Sequence, residues 1–117
     1  MRRGSLVVIC SLLLSGCLVP SEPAKQAEEI SSISAEGALL AHEVGDGDVT
    51  TTFARVHARA LRKKLSELEP KVQVDALARL LRDADAGLAV LEDEASHEAS
   101  VERRLERIAT QADELAK

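Results

Sequence analysis

The chain has 117 residues, 45 % of them hydrophobic and 30 % charged, with a formal net charge of −5 and a single aromatic side chain, Phe53. That length supports one small domain. The missing aromatic faces exclude a stacking platform for single-stranded nucleic acid, the negative balance excludes a basic phosphate-binding domain, and the abundance of Leu, Ile, Val and Ala excludes an acidic disordered tail.

The chain begins with a short positive stretch, Arg2 and Arg3, followed by Leu6 to Leu14, which is apolar except for Ser11. Nine residues cannot span a hydrocarbon core of ~30 Å, which takes about 20. The run ends in Leu14-Ser15-Gly16-Cys17, a Leu and two small residues before a Cys. An ordinary secretory site wants small residues at −1 and −3, and cleavage after Gly16 would put Leu14 at −3. Residues 1–17 resemble the signal peptide and lipobox of bacterial lipoprotein precursors.

That resemblance implies that the Cys17 sulfur takes a diacylglycerol through a thioether and that a signal peptidase recognising Leu14, Ser15 and Gly16 cuts before Cys17. In many bacteria the freed amine is acylated as well, with chains such as palmitate. Two chains hold a protein stably at a membrane where one holds it marginally. The implied organisation is a signal peptide over residues 1–16, a lipidated Cys and tether over 17–23, and a folded domain over 24–117. Cys10 leaves with the signal and Cys17 carries lipid, so the mature chain keeps neither thiol nor disulfide. Leu18 stands where an Asp would resemble an inner-membrane retention signal, so the expected place is the outer membrane of a cell that has one, on the extracytoplasmic side. Without Arg2 and Arg3 the net charge falls from −5 to −7.

The mature chain reads as helices. Ser21 offers an N-cap with Pro23 in the first turn. Ile30, Ile33, Gly37, Leu40 and Val44 then recur three and four apart, one face of a helix that Gly45 is placed to end. A second helix opens between Asp48 and Thr51, shows Phe53, Val56, Ala60, Leu61, Leu65 and Leu68 as its apolar face, and stops or kinks at Pro70. A third carries Val74, Leu77, Leu81, Ala84, Leu88 and Leu91. Its seam fails near Glu94 and Glu98, Ser96 offers a new cap, and a fourth seam runs through Val101, Leu105, Ile108, Ala112 and Leu115. Val72 and Val74 alternate only once, too little for a strand.

Short connections between helices of about 20 residues favour antiparallel neighbours. The expected fold is therefore all-α, a small antiparallel bundle of about four helices. The competing arrangement fuses the last two helices over residues 71–116 into a rod ~69 Å long, which would favour a coiled-coil partner. Phe53 would be the one aromatic in a thin Leu/Ala core, to which self-association could add burial.

Catalytic signals are weak. His42 and Asp46 are four apart, a spacing that puts two metal ligands on one helix face, but a helix ended by Gly45 would separate them and leave His42 at a C-terminus, where a cation suits the dipole. Counted from Asp46 as a calcium loop, position six is Thr51 and position twelve His57, where Gly and Glu belong. His57 would border the core, and His97 sits among acidic residues. No nucleophile elbow, free thiol or phosphate loop is present. An enzyme is not expected, nor a cofactor, a metal or a nucleic-acid partner.

Charge patterning says more. Arg55, Arg59, Arg62 and Lys63 form a basic stripe, and Glu94, Glu98, Glu102 and Glu106 an acidic one. Like charges four apart repel slightly, so each stripe wants a partner. Either the stripes neutralise each other or sit in solvent, or the basic one meets anionic lipid headgroups and the acidic one a protein. The expected function is a non-enzymatic, lipid-anchored envelope scaffold or adaptor. Its partners would be membrane lipid through Cys17 and an envelope protein or a second copy. A helical oligomer holding a small ligand or ion in its core is the alternative.

Overall fold

A computed structural model describes residues 21–94 and 99–117. Within them lie helices α1 (Glu22–Asp46), α2 (Thr51–Leu68), α3 (Asp75–Glu94) and α4 (Ala99–Ala116), and no strand.

Each helix end has a local cause. Ser21 is extended at φ −69° and ψ 158°, and its hydroxyl accepts the Ala24 N–H at 3.3 Å, satisfying a donor that the first turn leaves without an intrahelical partner. The helix therefore starts at Glu22, slightly before the expected domain boundary. α1 ends at Gly47 and not at Gly45. Gly47 takes the left-handed conformation, φ 75°, donates to Val44 O at 3.2 Å, and is followed by the Asp48 N–H on Glu43 O at 2.9 Å. This pair closes a Schellman turn that only Gly adopts without strain. The extra residues let Val44 pack against the core.

Thr50 caps α2, its hydroxyl accepting the Phe53 N–H at 3.1 Å. Pro70 lacks an N–H, and α2 gives way after Leu68 to a single 3-10 turn over Glu69–Lys71.

The helices form an all-α antiparallel bundle. Ser31 donates to Ala109 O and His42 bonds Glu102, so α1 and α4 run in opposite directions. Arg59 reaches Glu92 and Arg62 reaches Asp85, which sets α2 against α3 the same way. A Cβ built on Gly87 would lie 3.1 Å from the Leu105 side chain. In one continuous helix those positions would be ~27 Å apart at 1.5 Å per residue. The chain therefore doubles back between α3 and α4, and the fused rod is excluded.

One core joins all four helices, built of Leu, Ile, Val and Ala. The α1, α3 and α4 seams bury their expected residues with three exceptions: Val44 on the last turn of α1 is only partly buried, Val74 precedes α3, and Leu115 on the last turn of α4 is about half exposed. Leu105 is fully buried and fits where α1 and α3 both thin to glycine. A Cβ on Gly37 would meet it at 3.2 Å and Leu88 at 2.7 Å.

The expected face of α2 is rotated in the structure. Ala54, Ala58, Leu61, Leu65 and Leu68 point inward, while Phe53 is 51 % and Val56 58 % exposed and Ala60 lies in solvent. The core thus contains no aromatic among the described residues. Bulk and hydrophobicity favour Phe53 and Val56, but alanines at 54 and 58 let α2 approach its neighbours closely, and close approach wins.

Candidate interaction surfaces

Cys17 and the residues before it, Leu14, Ser15 and Gly16, lie outside the described residues, as do Glu98, Ser96 and His97. The described residues begin at Ser21, at the bundle end that holds the start of α1 and the 3-10 turn. There Gln26 donates its amide to Lys71 O at 3.0 Å, fastening the end of α1 to that turn.

The basic stripe divides. Arg62, partly sheltered in the α2–α3 groove, donates through Nε to Asp85 at 2.9 Å and through Nη1 to Glu92 at 2.7 Å. Arg59 donates to the other Glu92 oxygen at 3.0 Å. A guanidinium fork matches a carboxylate well, and these bonds hold the Arg62 proton more firmly than usual. Arg62 and then Arg59 pull the Glu92 carboxyl below its ordinary range. Asp85 and Glu92 belong to neither stripe, so this half of the basic row is neutralised by α3. Arg55 and Lys63 are exposed and make no ion pair among the described residues.

The acidic stripe is divided between two helices. Glu94 ends α3, while Glu102 and Glu106 stand on α4. Glu102 accepts from His42 at 2.9 Å, and Glu106 lines an α1–α4 groove with Leu39, His42 and Ala109.

His42 differs from the sequence expectation. Because α1 continues through Asp46, His42 Nε2 lies 3.0 Å from the Asp46 carboxylate while Nδ1 faces Glu102. A neutral imidazole donates through one nitrogen only. Two carboxylates on opposite nitrogens favour the doubly protonated ring, and Asp46 first and Glu102 next raise its pKa above 6.5. The two ring nitrogens point apart, so this trio cannot converge on one ion. Among the described residues no group of three or more His, Cys, Asp or Glu is placed to hold a metal.

The feature that periodicity missed lies along α1 and α2. Phe53 stacks on His57 with centroids 5.5 Å apart and planes 16° from parallel. His57 faces Glu36 of α1 at 3.8 Å. Phe53 and His57 line a shallow groove with Glu36, Leu39, Leu40 and Glu43. The available signal was the alanine pair 54 and 58, which turns Phe53 and Val56 outward once small residues are allowed to define the inner face.

Compared with known proteins, the chain matches no family model, no curated protein and no solved structure.

Proposed function

We propose that this chain is a lipid-anchored protein of the bacterial cell envelope and that its helical bundle works without catalysis, as a scaffold, adaptor or interaction module beside the membrane. The observation that carries the reading is the ordered succession of Arg2-Arg3, the short apolar run and Leu14-Ser15-Gly16-Cys17, a signal too short to span a bilayer and ending at a lipid-acceptor cysteine. The start of α1 at Glu22 supports it. Residues 18–21 separate Cys17 from the helix and reach at most ~14 Å when extended, which keeps the bundle close to the membrane surface. No helix among the described residues is long and apolar enough to cross a membrane, so a lipid on Cys17 would supply the attachment. The non-catalytic part rests on the lack of a paired nucleophile and base in the sequence.

The test is Cys17→Ser in the full chain, expressed in a bacterium and labelled with a palmitate analogue. The expected product is unlabelled, keeps residues 1–16 and loses the mobility shift of the processed form. Labelling and processing that match the unaltered chain would refute the lipid anchor.

A further inference from the structure

The outer face of α1 and α2 combines three features. α1 carries six acidic side chains and one Lys, and α2 five basic side chains and one Glu. Glu29, Glu36 and Glu43 are seven residues apart and so share one side of α1. That side is the edge next to α2, because Glu36 meets His57 and Glu36 and Glu43 line the groove with Phe53. On α2 the exposed row Arg55, Arg59 and Lys63 follows the opposite edge, next to α3, where Arg59 reaches Glu92. Between the acidic and basic rails runs an exposed apolar ridge, Phe53, Val56 and Ala60.

The rails are poorly matched within the chain. The one ion pair joining α1 to α2 among the described residues is the 3.8 Å contact of Glu36 with His57. Glu29, Glu43, Arg55 and Lys63 have no ion pair among the described residues. The chain's only Phe, Tyr or Trp side chain, half exposed, lies between two rows of opposite sign that are each only partly paired within the chain.

We infer that this face binds a second copy of the same chain through a two-fold axis parallel to the helices. Two copies facing each other about such an axis exchange left and right, so the acidic rail of each lies on the basic rail of the other. A two-fold lying across the helices in the plane of the interface would instead set acid on acid and base on base. The heights agree. Glu36 is level with His57, hence between Arg55 and Arg59 of the opposing rail. Glu29, two turns toward the N-terminus of α1, is level with Lys64, beside Lys63. The apolar ridges meet at the centre, where an aromatic anchor and excluded water contribute most.

The same axis sets the two α1 N-termini at one end of the dimer. Charge matching selects it without reference to the anchor, yet it is the axis that lets two chains attach to one membrane. The dimer stands on the residues of α1 and α2 and does not require lipid on Cys17.

The test uses the full chain in cells, with a benzophenone amino acid replacing Phe53 and, separately, Val56. Irradiation is expected to give a covalent product of twice the chain's mass from both positions and none from Gln111, on the far side of the bundle. Charge reversal supplies the specific arm. The pair Arg55→Glu and Lys63→Glu, or the pair Glu29→Lys and Glu36→Lys, should lower the yield roughly tenfold or more, since each altered contact occurs twice across the axis. Co-expressing the two reversed chains should restore it between them. Circular dichroism of each purified variant verifies that it folds. Adducts only to another protein or to lipid, no product from either position in a folded chain, or equal yields with and without charge reversal would each overturn the dimer. Loss of the dimer with lipid labelling of Cys17 intact would leave the anchor reading standing.

Discussion

The α1–α4 and α2–α3 seams are both antiparallel, but they are secured differently. Along α1–α4 the helices close on glycine, and Leu105 fills the space left by Gly37 and Gly87. The crossing polar contacts, Ser31 on Ala109 O and His42 on Glu102, lie at the edges. Along α2–α3 the inner face of α2 is Ala54, Ala58, Leu61 and Leu65, and the outer margin is bound by Arg62 and Arg59 on Asp85 and Glu92. One seam depends on shape, the other on moderate packing under a charged clamp. Mutations should therefore cost most in the first and be most sensitive to salt and acid in the second.

Leu105→Ala should have the largest effect. It empties a fully buried site bounded by glycine, where little side chain is available to collapse inward, so a loss near the upper part of the usual ~2–5 kcal/mol is expected. Urea denaturation should show a lower midpoint with an unchanged slope. Leu65→Ala, fully buried in α2, is the matched control and should cost less. If Leu65→Ala costs more than Leu105→Ala, the glycine notch is not the critical feature.

Gly37→Val tests the same notch from the other side. A Cβ there already falls 2.7 Å from Leu88, itself fully buried. A branched side chain should cost about 2 kcal/mol through overpacking, despite the better helix propensity of any residue over Gly. A neutral result would mean that Leu88 has room to move.

How much of this contrast was legible in the sequence differs by seam. Ile30, Ile33, Leu40, Leu105 and Ile108 repeat with helical spacing and hold bulky side chains, with Gly37 in the same register, so the α1–α4 faces follow from periodicity. α2 does not yield to the same reading. Its largest apolar residues, Phe53 and Val56, face out, and the choice of alanines for the inner face depends on how near the partner helix comes, a distance that no sequence window contains. The end of α1 was misplaced for a related reason. Gly45 and Gly47 are equivalent locally, and the turn at Gly47 is selected because one further stretch of helix packs Val44 and pairs Asp46 with His42. The arginine clamp was half visible: the basic row is plain, but Asp85 and Glu92 are seven apart and stand out only beside α2.

Ser34 is a defect in the α1 core face. Its hydroxyl is fully buried and finds no hydrogen-bond partner among the described residues. Ser34→Ala should raise stability by about 1 kcal/mol, because it removes an unsatisfied polar group and adds a better helix former. Destabilisation would reveal a partner for the hydroxyl, and the rise in urea midpoint decides it.

Arg62→Met should cost about 1 kcal/mol, discounted for the solvent that reaches the site, and the cost should shrink in high salt. The acid side has a definite sign. Glu92 titrates below its usual value of 4.5 in the folded state. Its contribution is thus present above that value and is lost as pH falls through the lower folded one. Stability of the parent chain should drop more steeply than that of Arg62→Met below pH 4.5. Parallel curves would separate the clamp from acid sensitivity.

The smallest expected effect has the opposite sign and belongs to the α1–α4 edge. The groups facing His42 are all acidic: Asp46 and Asp48 from its own helix end, and Glu102 with Glu106 from α4. Asp46 first, then Glu102, with Asp48 adding less, raise its pKa above 6.5, so the stabilisation is fully present below 6.5 and is lost as pH rises through the higher folded value. His42 is more than half exposed, which keeps the effect small and salt-sensitive. The urea midpoint of the parent chain should decline gently as pH is raised from 6.5, and His42→Gln should flatten that decline while leaving the Arg62-dependent loss below pH 4.5 untouched. Direct titration of the His42 ring protons by NMR provides a second reading. A midpoint at or below 6.5 would mean that the two carboxylates do not hold the imidazolium, and the edge of this seam would then be closed by packing alone.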